Sequence, residues 1–402
     1  MVESCPNCGA TGMSPFYEVH GIPAHSCLLM GDSETARSYP RRDLVLGFCD
    51  ACGFISNVVF DANVHEYSAG YEEQQSFSPR FRAFQTELVQ RLVAQYDVRG
   101  KDVVEIGCGK GDFLVELCEV GGNRGVGIDP ACDAERVGAV GSQRVRFIPE
   151  LYSAAHAGLP CDFLCCRHTL EHIYETNAFV AEMRRVVGDR PGTLVFFEVP
   201  DVERILRERA FWDIYYEHCS YFSLGSLARV FRANRFELLE LAKDYDGQYL
   251  LIIAQPTDGP TKSGFAEEDD LEQLAHDVDD FRPAVRNEIA GWRARFAEAR
   301  RAGRSVAIWG SGSKCVSFLG AIEPAEELAA IVDINRFRHG KNLPGYGHRI
   351  ASPEVLKTCR PDLVVVMNPI YRTEISKQLD ELGLAPELTC VGTVGKEPAA
   401  VG

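Results

Sequence analysis

Between Phe211 and Ser223 the chain reads Phe-Trp-Asp-Ile-Tyr-Tyr-Glu-His-Cys-Ser-Tyr-Phe-Ser, its densest run of aromatic and titratable side chains. His218 titrates nearest neutrality among them, so it is the residue best suited to act as a general base. Glu217 is its neighbour in sequence, yet successive side chains diverge on a helix or a strand, so adjacency alone does not make a pair. A second chemistry lies at the amino terminus, where Cys5-Pro6-Asn7-Cys8-Gly9 and Cys49-Asp50-Ala51-Cys52-Gly53 repeat one knuckle pattern. Two such knuckles can deliver four thiolates to a tetrahedral zinc and leave no open position for water, which makes the expected site structural. His25 and Cys27 lie in the intervening loop and are alternative ligands.

A third pattern is the turn Glu105-Ile106-Gly107-Cys108-Gly109-Lys110-Gly111-Asp112. The apolar run before it and the amphipathic pattern after it predict a buried strand, a tight turn and a helix. Glycines at such a turn let a ligand approach the backbone, and in open α/β sheets ligands bind beyond the carboxyl ends of the strands. The next predicted strand ends at Asp129, about twenty residues on, where a carboxylate meets ribose hydroxyls in such folds. A nicotinamide dinucleotide site uses a similar device and is the alternative reading of the turn.

These residues need a scaffold large enough to place them. The chain has 402 residues, 46% hydrophobic side chains, fifteen cysteines and a formal charge of −16. That length exceeds one ordinary core and implies two large domains with a small appendage. The negative charge disfavours non-specific binding to nucleic acid or an anionic membrane. No apolar run is long enough to span a bilayer and the start lacks a signal-peptide pattern, so the expected location is cytoplasmic and the cysteines are expected as thiols and metal ligands. From Tyr67-Ser68-Ala69-Gly70-Tyr71 to Gln75-Ser76-Phe77-Ser78 a tyrosine- and serine-rich lead-in precedes the glycine turn, suited to cover a ligand. Pro256 to Gly264 reads as a linker. The stripe Leu271, Leu274, Val278, Phe281, Val285, Ile289, Trp292 and Phe296 predicts a helix packed on a neighbouring surface or a partner chain, with Pro283 kinking or splitting it. Ser305 to Lys314 begins a second strand–turn–helix unit, and donors at such a helix start suit phosphate.

The pattern Glu-x-Gly-x-Gly-x-Gly, Asp129-Pro130, and Cys161 to Cys166 followed by Arg167-His168-Thr169-Leu170-Glu171-His172-Ile173 resemble the motifs of class I S-adenosylmethionine-dependent methyltransferases. Together with the paired knuckles, Tyr-x-Glu-His before Ser-Tyr-Phe-Ser, and the second α/β unit, nearly the whole chain resembles the zinc-containing sugar C-methyltransferases that act on nucleotide-linked keto-deoxysugars. The resemblance implies an α/β fold with a zinc-binding module over 1–62, a class I methyltransferase Rossmann-like domain over 63–256, and a helical linker with a second Rossmann-like domain over 257–402. It places Glu105, Gly107, Gly109, Gly111, Asp112, Asp129 and Arg167 on S-adenosylmethionine. His218 becomes the base that removes a proton from the carbon to be methylated, with Tyr215, Glu217, His172 and Tyr71 around the acceptor. Cys5, Cys8, Cys49 and Cys52 become the zinc ligands, and Ser313, Lys314, Lys341 and Arg372 the contacts to a nucleotide-sugar diphosphate. The implied protein is a monomer or homodimer with a small-molecule substrate.

One departure bears on the acceptor. Family members acting on amino-keto sugars commonly have His-Gly-Gly, whereas this chain has Asp244-Tyr245-Asp246-Gly247-Gln248-Tyr249-Leu250, an Asp-Gly-Gln departure at Asp246-Gly247-Gln248. An O- or N-methyltransferase acting on another anionic metabolite, and a nucleotide-binding assembly protein without chemistry, are the alternatives.

Overall fold

The computed structural model describes residues 4–64, 70–132, 144–188, 190, 192–259, 264–322 and 328–392. Tyr67, Ser68 and Ala69 of the lead-in fall outside the described residues. Each cysteine knuckle closes the same way: the Gly9 amide donates to the Cys5 carbonyl and the Gly53 amide to the Cys49 carbonyl, both at 2.8 Å. That turn needs φ of 77° at Gly9 and 74° at Gly53, which is why glycine follows each pair.

Between and just after the knuckles the chain forms a small antiparallel sheet. Its strands Ser14–Pro23, Arg41–Phe48 and Ile55–Asn57 pair in order. The fourth strand comes from elsewhere: Ser220–Tyr221 pairs with Ile55 and Ser56. The segment carrying His218 is thus stitched to the cysteine module by backbone hydrogen bonds.

The central sheet has seven strands in the order Phe236–Asp244, Tyr249–Pro256, Leu194–Pro200, Phe163–Arg167, Asp102–Ile106, Arg124–Ile128 and Val145–Ile148. The last five run parallel, while Tyr249–Pro256 lies antiparallel to both of its neighbours. Val103, Val104, Phe163, Leu164, Val195 and Phe196 are all buried, as expected of central parallel strands covered on both faces. The helix Pro79–Gln95 leads in, capped by Ser78, whose hydroxyl accepts from the Phe81 amide at 3.2 Å.

The third sheet is fully parallel: Ile350–Ala351, Leu328–Val332, Val306–Trp309, Leu363–Val366 and Glu387–Cys390. Before it runs the helix Leu271–Arg301, continuous through Pro283. The expected split does not occur. Phe281 and Val285, on either side of the proline, are buried, and Phe281 meets Phe16 and Tyr17 edge-on at 6.1 and 5.4 Å, so packing holds the helix together. The apolar stripe is therefore spent within this chain. Among the described residues no helix is long and apolar enough to cross a membrane.

Candidate active site

The carboxyl ends of the central parallel strands, the segment Asp213–His218, the lead-in from Tyr71 and the turn Gly310–Lys314 enclose one cavity of about 680 Å³. That is ample for a cofactor together with a small acceptor. On its cofactor side, Gly107, Gly109 and Gly111 take φ of 68°, 52° and 84°. A Cβ at Gly107 would collide with Thr169, and one at Gly111 would lie 2.5 Å from the Phe147 ring. Asp129 closes the turn: its Oδ2 accepts from the Gly109 amide at 2.8 Å and its Oδ1 from the Ala131 amide at 2.6 Å. Lys110 Nζ donates to the Ala131 carbonyl at 2.6 Å, and Asp112 accepts from Ser76 at 2.5 Å and from Gln74.

Glu105 and Arg167 line the same wall. Burial pushes the Glu105 carboxyl up to about 8 in spite of Arg167, so it is uncharged at neutral pH. Arg167 is committed to Glu198 at 2.8 Å and stacks 4.2 Å over the Phe113 ring. His168 meets the same Glu198 oxygen at 2.8 Å. Burial alone would lower its pKa, but Glu198 and Glu171 outweigh that and hold it at about 9.

On the acceptor side, His218 Nε2 lies 2.8 Å from the Tyr215 hydroxyl. The His172 ring stands perpendicular to His218 with centroids 4.8 Å apart, and Glu171, His172 and His218 bring their polar atoms within 4.8 Å of one another. Burial, then His172 and His168, hold the His218 pKa well below its usual value, and burial raises the Tyr215 phenol well above its own. The imidazole is neutral and the phenol protonated at physiological pH. Tyr71 is buried in the cavity wall, its ring 6.0 Å from that of His25.

Glu217 was expected beside the acceptor. It does not line the cavity; its carboxylate turns to His25 Nδ1 at 2.7 Å and to the Ser26 amide at 2.8 Å and hydroxyl. Those partners outweigh burial and hold its pKa low, so it is a buried carboxylate. His25 and Cys27 are likewise removed from the expected metal cluster. Cys27 Sγ sits 3.2 Å from Ser313 Oγ and 3.4 Å from the Arg338 guanidinium. The cluster is the four knuckle cysteines alone, all sulfurs within 4.8 Å of one another, with Cys5–Cys52 at 3.8 Å and Cys8–Cys49 at 3.7 Å. Four sulfurs at 2.3 Å from a tetrahedral zinc stand about 3.8 Å apart, so the donor set and its spacing fit that ion.

From the carboxyl-terminal sheet, Ser313 and Lys314 reach the cavity and Lys341 and Arg372 do not; both of the latter are exposed. Lys314 pairs with Asp213, which also holds Arg204 at 2.6 Å. The cation brought in beside them is Arg338, three residues before Lys341, buried and bonded to the Ser311 carbonyl at 3.1 Å and to the Glu72 carbonyl. Asp333 repeats the Asp129 geometry, accepting from the Ser311 and Asn335 amides at 2.8 Å each. In the Asp246-Gly247-Gln248 departure, Asp246 faces solvent against Arg80 at 3.3 Å, whereas Gln248 lines the cavity and exchanges amide hydrogen bonds with Asn368. Glu73, His168, Glu171, Asp213 and Arg338 are among the cavity-lining polar residues that sequence reasoning did not assign, and Glu198 pairs with Arg167 and His168. His168 and Glu171 stand inside the His-Thr-Leu-Glu-His motif and were legible there, and His168 has a φ of 49°, which a non-glycine residue adopts only under constraint.

Residues 76–241 match the family described as methyltransferase domain, and residues 260–385 the family described as C-methyltransferase C-terminal domain. C-methyltransferase NovU of Streptomyces niveus is 28% identical over 300 residues, which covers 69% of this chain and 68% of that protein. Among solved structures, magnesium protoporphyrin IX methyltransferase from Synechocystis PCC 6803 with bound S-adenosylhomocysteine aligns at a TM-score of 0.35 and 15% identity, covering 44% of this chain and 84% of that one. The PH0226 protein of Pyrococcus horikoshii OT3 aligns at 0.36 and 18%, covering 45% and 92%.

Proposed function

Because the chain belongs to the S-adenosylmethionine-dependent C-methyltransferases, we propose that it methylates a carbon next to a carbonyl on a nucleotide-linked keto-deoxysugar, with His218 as general base. The observation that carries this reading is the His218–Tyr215 pair beside His172, set in the cavity between the glycine turn and the carboxyl-terminal sheet. Zinc held by Cys5, Cys8, Cys49 and Cys52 is part of the proposal, with a structural role.

A carbon beside a carbonyl loses a proton to a positioned base when donors stabilise the enolate that results. A neutral His218 accepts that proton, and its environment keeps it neutral at the working pH. The electron pair of the broken carbon–hydrogen bond moves to the carbonyl oxygen. Tyr215, whose phenol stays protonated, and His172 donate to that oxygen or orient the sugar. When bound, S-adenosylmethionine supplies a sulfonium methyl group as the electrophile. Ser313 and Lys314 hold the diphosphate, joined by Arg338, which lines the cavity where Lys341 and Arg372 do not. Tyr71 closes the wall over the acceptor.

Release of S-adenosylhomocysteine across a panel of nucleotide-linked keto-deoxysugars, with mass spectrometry of the acceptor, tests the reading. A methyl gained on sugar carbon supports it. A methyl on oxygen or nitrogen, or turnover of an acceptor without a carbonyl, contradicts it.

A further inference from the structure

The lead-in segment contributes a group that neither the glycine turn nor the proposed base accounts for. Glu73 lines the cavity, and its Oε1 lies 2.8 Å from where a Cβ on Gly109 would stand, so its carboxylate packs directly over the middle glycine of the turn. Its Oε2 is buried without a hydrogen-bond partner among the described residues. A buried acceptor left unpaired is costly, and at a binding site that cost marks a group waiting for a donor. Asp129, the acid placed by chain order at the ribose, has one backbone amide on each carboxylate oxygen, from Gly109 and from Ala131. Much of its acceptor capacity is already spent on shaping the turn. Glu73 approaches the same glycine, close enough for the Asp129 charge to raise its pKa after burial does.

We propose that Glu73 is a cofactor-positioning residue, its carboxylate accepting from the ribose hydroxyls of the methyl donor across Gly109 from Asp129. This rests on S-adenosylmethionine being the cofactor. A ribose diol offers two donors to two acids that meet at Gly109, one fixed by the turn and one carried on the lead-in segment.

The test compares S-adenosylhomocysteine with its 2′,3′-dideoxy analogue by calorimetry on the full-length protein, wild type against Glu73→Ala and Glu73→Gln. Leaving a ribose hydroxyl unsatisfied on loss of this buried hydrogen bond corresponds to roughly a tenfold change in affinity. The expected result is that Glu73→Ala binds S-adenosylhomocysteine at least about tenfold more weakly than wild type, while the two proteins bind the dideoxy analogue alike. Glu73→Gln, of the same shape and with one acceptor oxygen left, falls between. Equal weakening toward both ligands makes Glu73 a packing residue and overturns the proposal, as does no weakening toward either. Failure of the wild type to bind S-adenosylhomocysteine would instead remove the cofactor assignment beneath it. Zinc content and thermal unfolding of each variant confirm that the proteins compared are folded.

Discussion

His218 loses proton affinity because burial, His172 and His168 all disfavour the imidazolium, whereas burial preserves the Tyr215 phenol. For the proposed reaction the sign is decisive: the base must be neutral, and a lowered pKa keeps it so down to a pH below the ordinary 6.5 of histidine. The acid limb that His218 contributes to the kcat/KM profile for the acceptor should therefore lie below pH 6.5; a His218 limb at or above that value would contradict the burial argument. Tyr215→Phe keeps the ring and removes the donor. It should cost kcat roughly 10²-fold while S-adenosylhomocysteine binding is unchanged, the scale of losing one donor to a developing oxyanion. Legibility was uneven at this scale. His218, Tyr215 and His172 belong to contiguous motifs and were readable as such, but Glu217 was assigned to the acceptor when its partner is His25, 192 residues away in sequence. Nothing in the order of residues announces that contact, since it depends on how a loop of the cysteine module is laid against the methyltransferase sheet.

The elements explain why a four-cysteine module sits on an enzyme whose proposed chemistry uses no metal. Cys49 and Cys52 precede the strand Ile55–Asn57, and that strand pairs with Ser220–Tyr221, two residues beyond His218. A zinc at the four thiolates would fix the knuckles, the knuckles fix the strand, and the strand fixes the base. Cys49→Ser should release the metal, lower Tm by roughly 5 °C or more and reduce turnover with it, because a structural zinc is folding free energy. Metal analysis with calorimetry checks this; a zinc-replete, equally stable variant would remove the four-thiolate assignment. The knuckles and the glycine turn were legible because each is local, a spacing of a few residues with glycine where φ is positive. The helix through Pro283 was not, because its continuity goes with tertiary packing, Phe281 against Phe16 and Tyr17 of the amino-terminal sheet and Val285 buried in the core, which propensity does not record.

At the scale of the whole molecule, three parts converge on one hydrogen-bonded junction. His25 and Ser26 come from the cysteine module, Glu217 from the segment bearing the base, and Ser313 from the carboxyl-terminal sheet, with Ser26 Oγ bonded to Ser313 Oγ at 2.7 Å. Lys314 crosses the same boundary to Asp213. The second α/β unit was legible as a unit, yet which of its cations faces the cavity was not: Lys341 and Arg338 are three residues apart, and only the turn Asn335–Arg338 decides that Arg338 points in. If the carboxyl-terminal sheet holds the acceptor's diphosphate, Lys314→Ala should raise the acceptor KM roughly 10–100-fold and leave the KM for the methyl donor unchanged. Steady-state kinetics in each substrate separates the two, and a rise in the methyl-donor KM alone would place Lys314 in the wrong site. The central claim, that His218 takes a proton from carbon, is tested most directly in deuterium oxide. Wild type and His218→Ala are each held with S-adenosylhomocysteine and a nucleotide-linked keto-deoxysugar, and deuterium entering the carbon next to the carbonyl is followed by mass spectrometry. The account predicts exchange in the wild type and its loss by roughly 10²–10⁴-fold in His218→Ala, which still binds S-adenosylhomocysteine. Exchange and methyl transfer in His218→Ala at near the wild-type rate would contradict it.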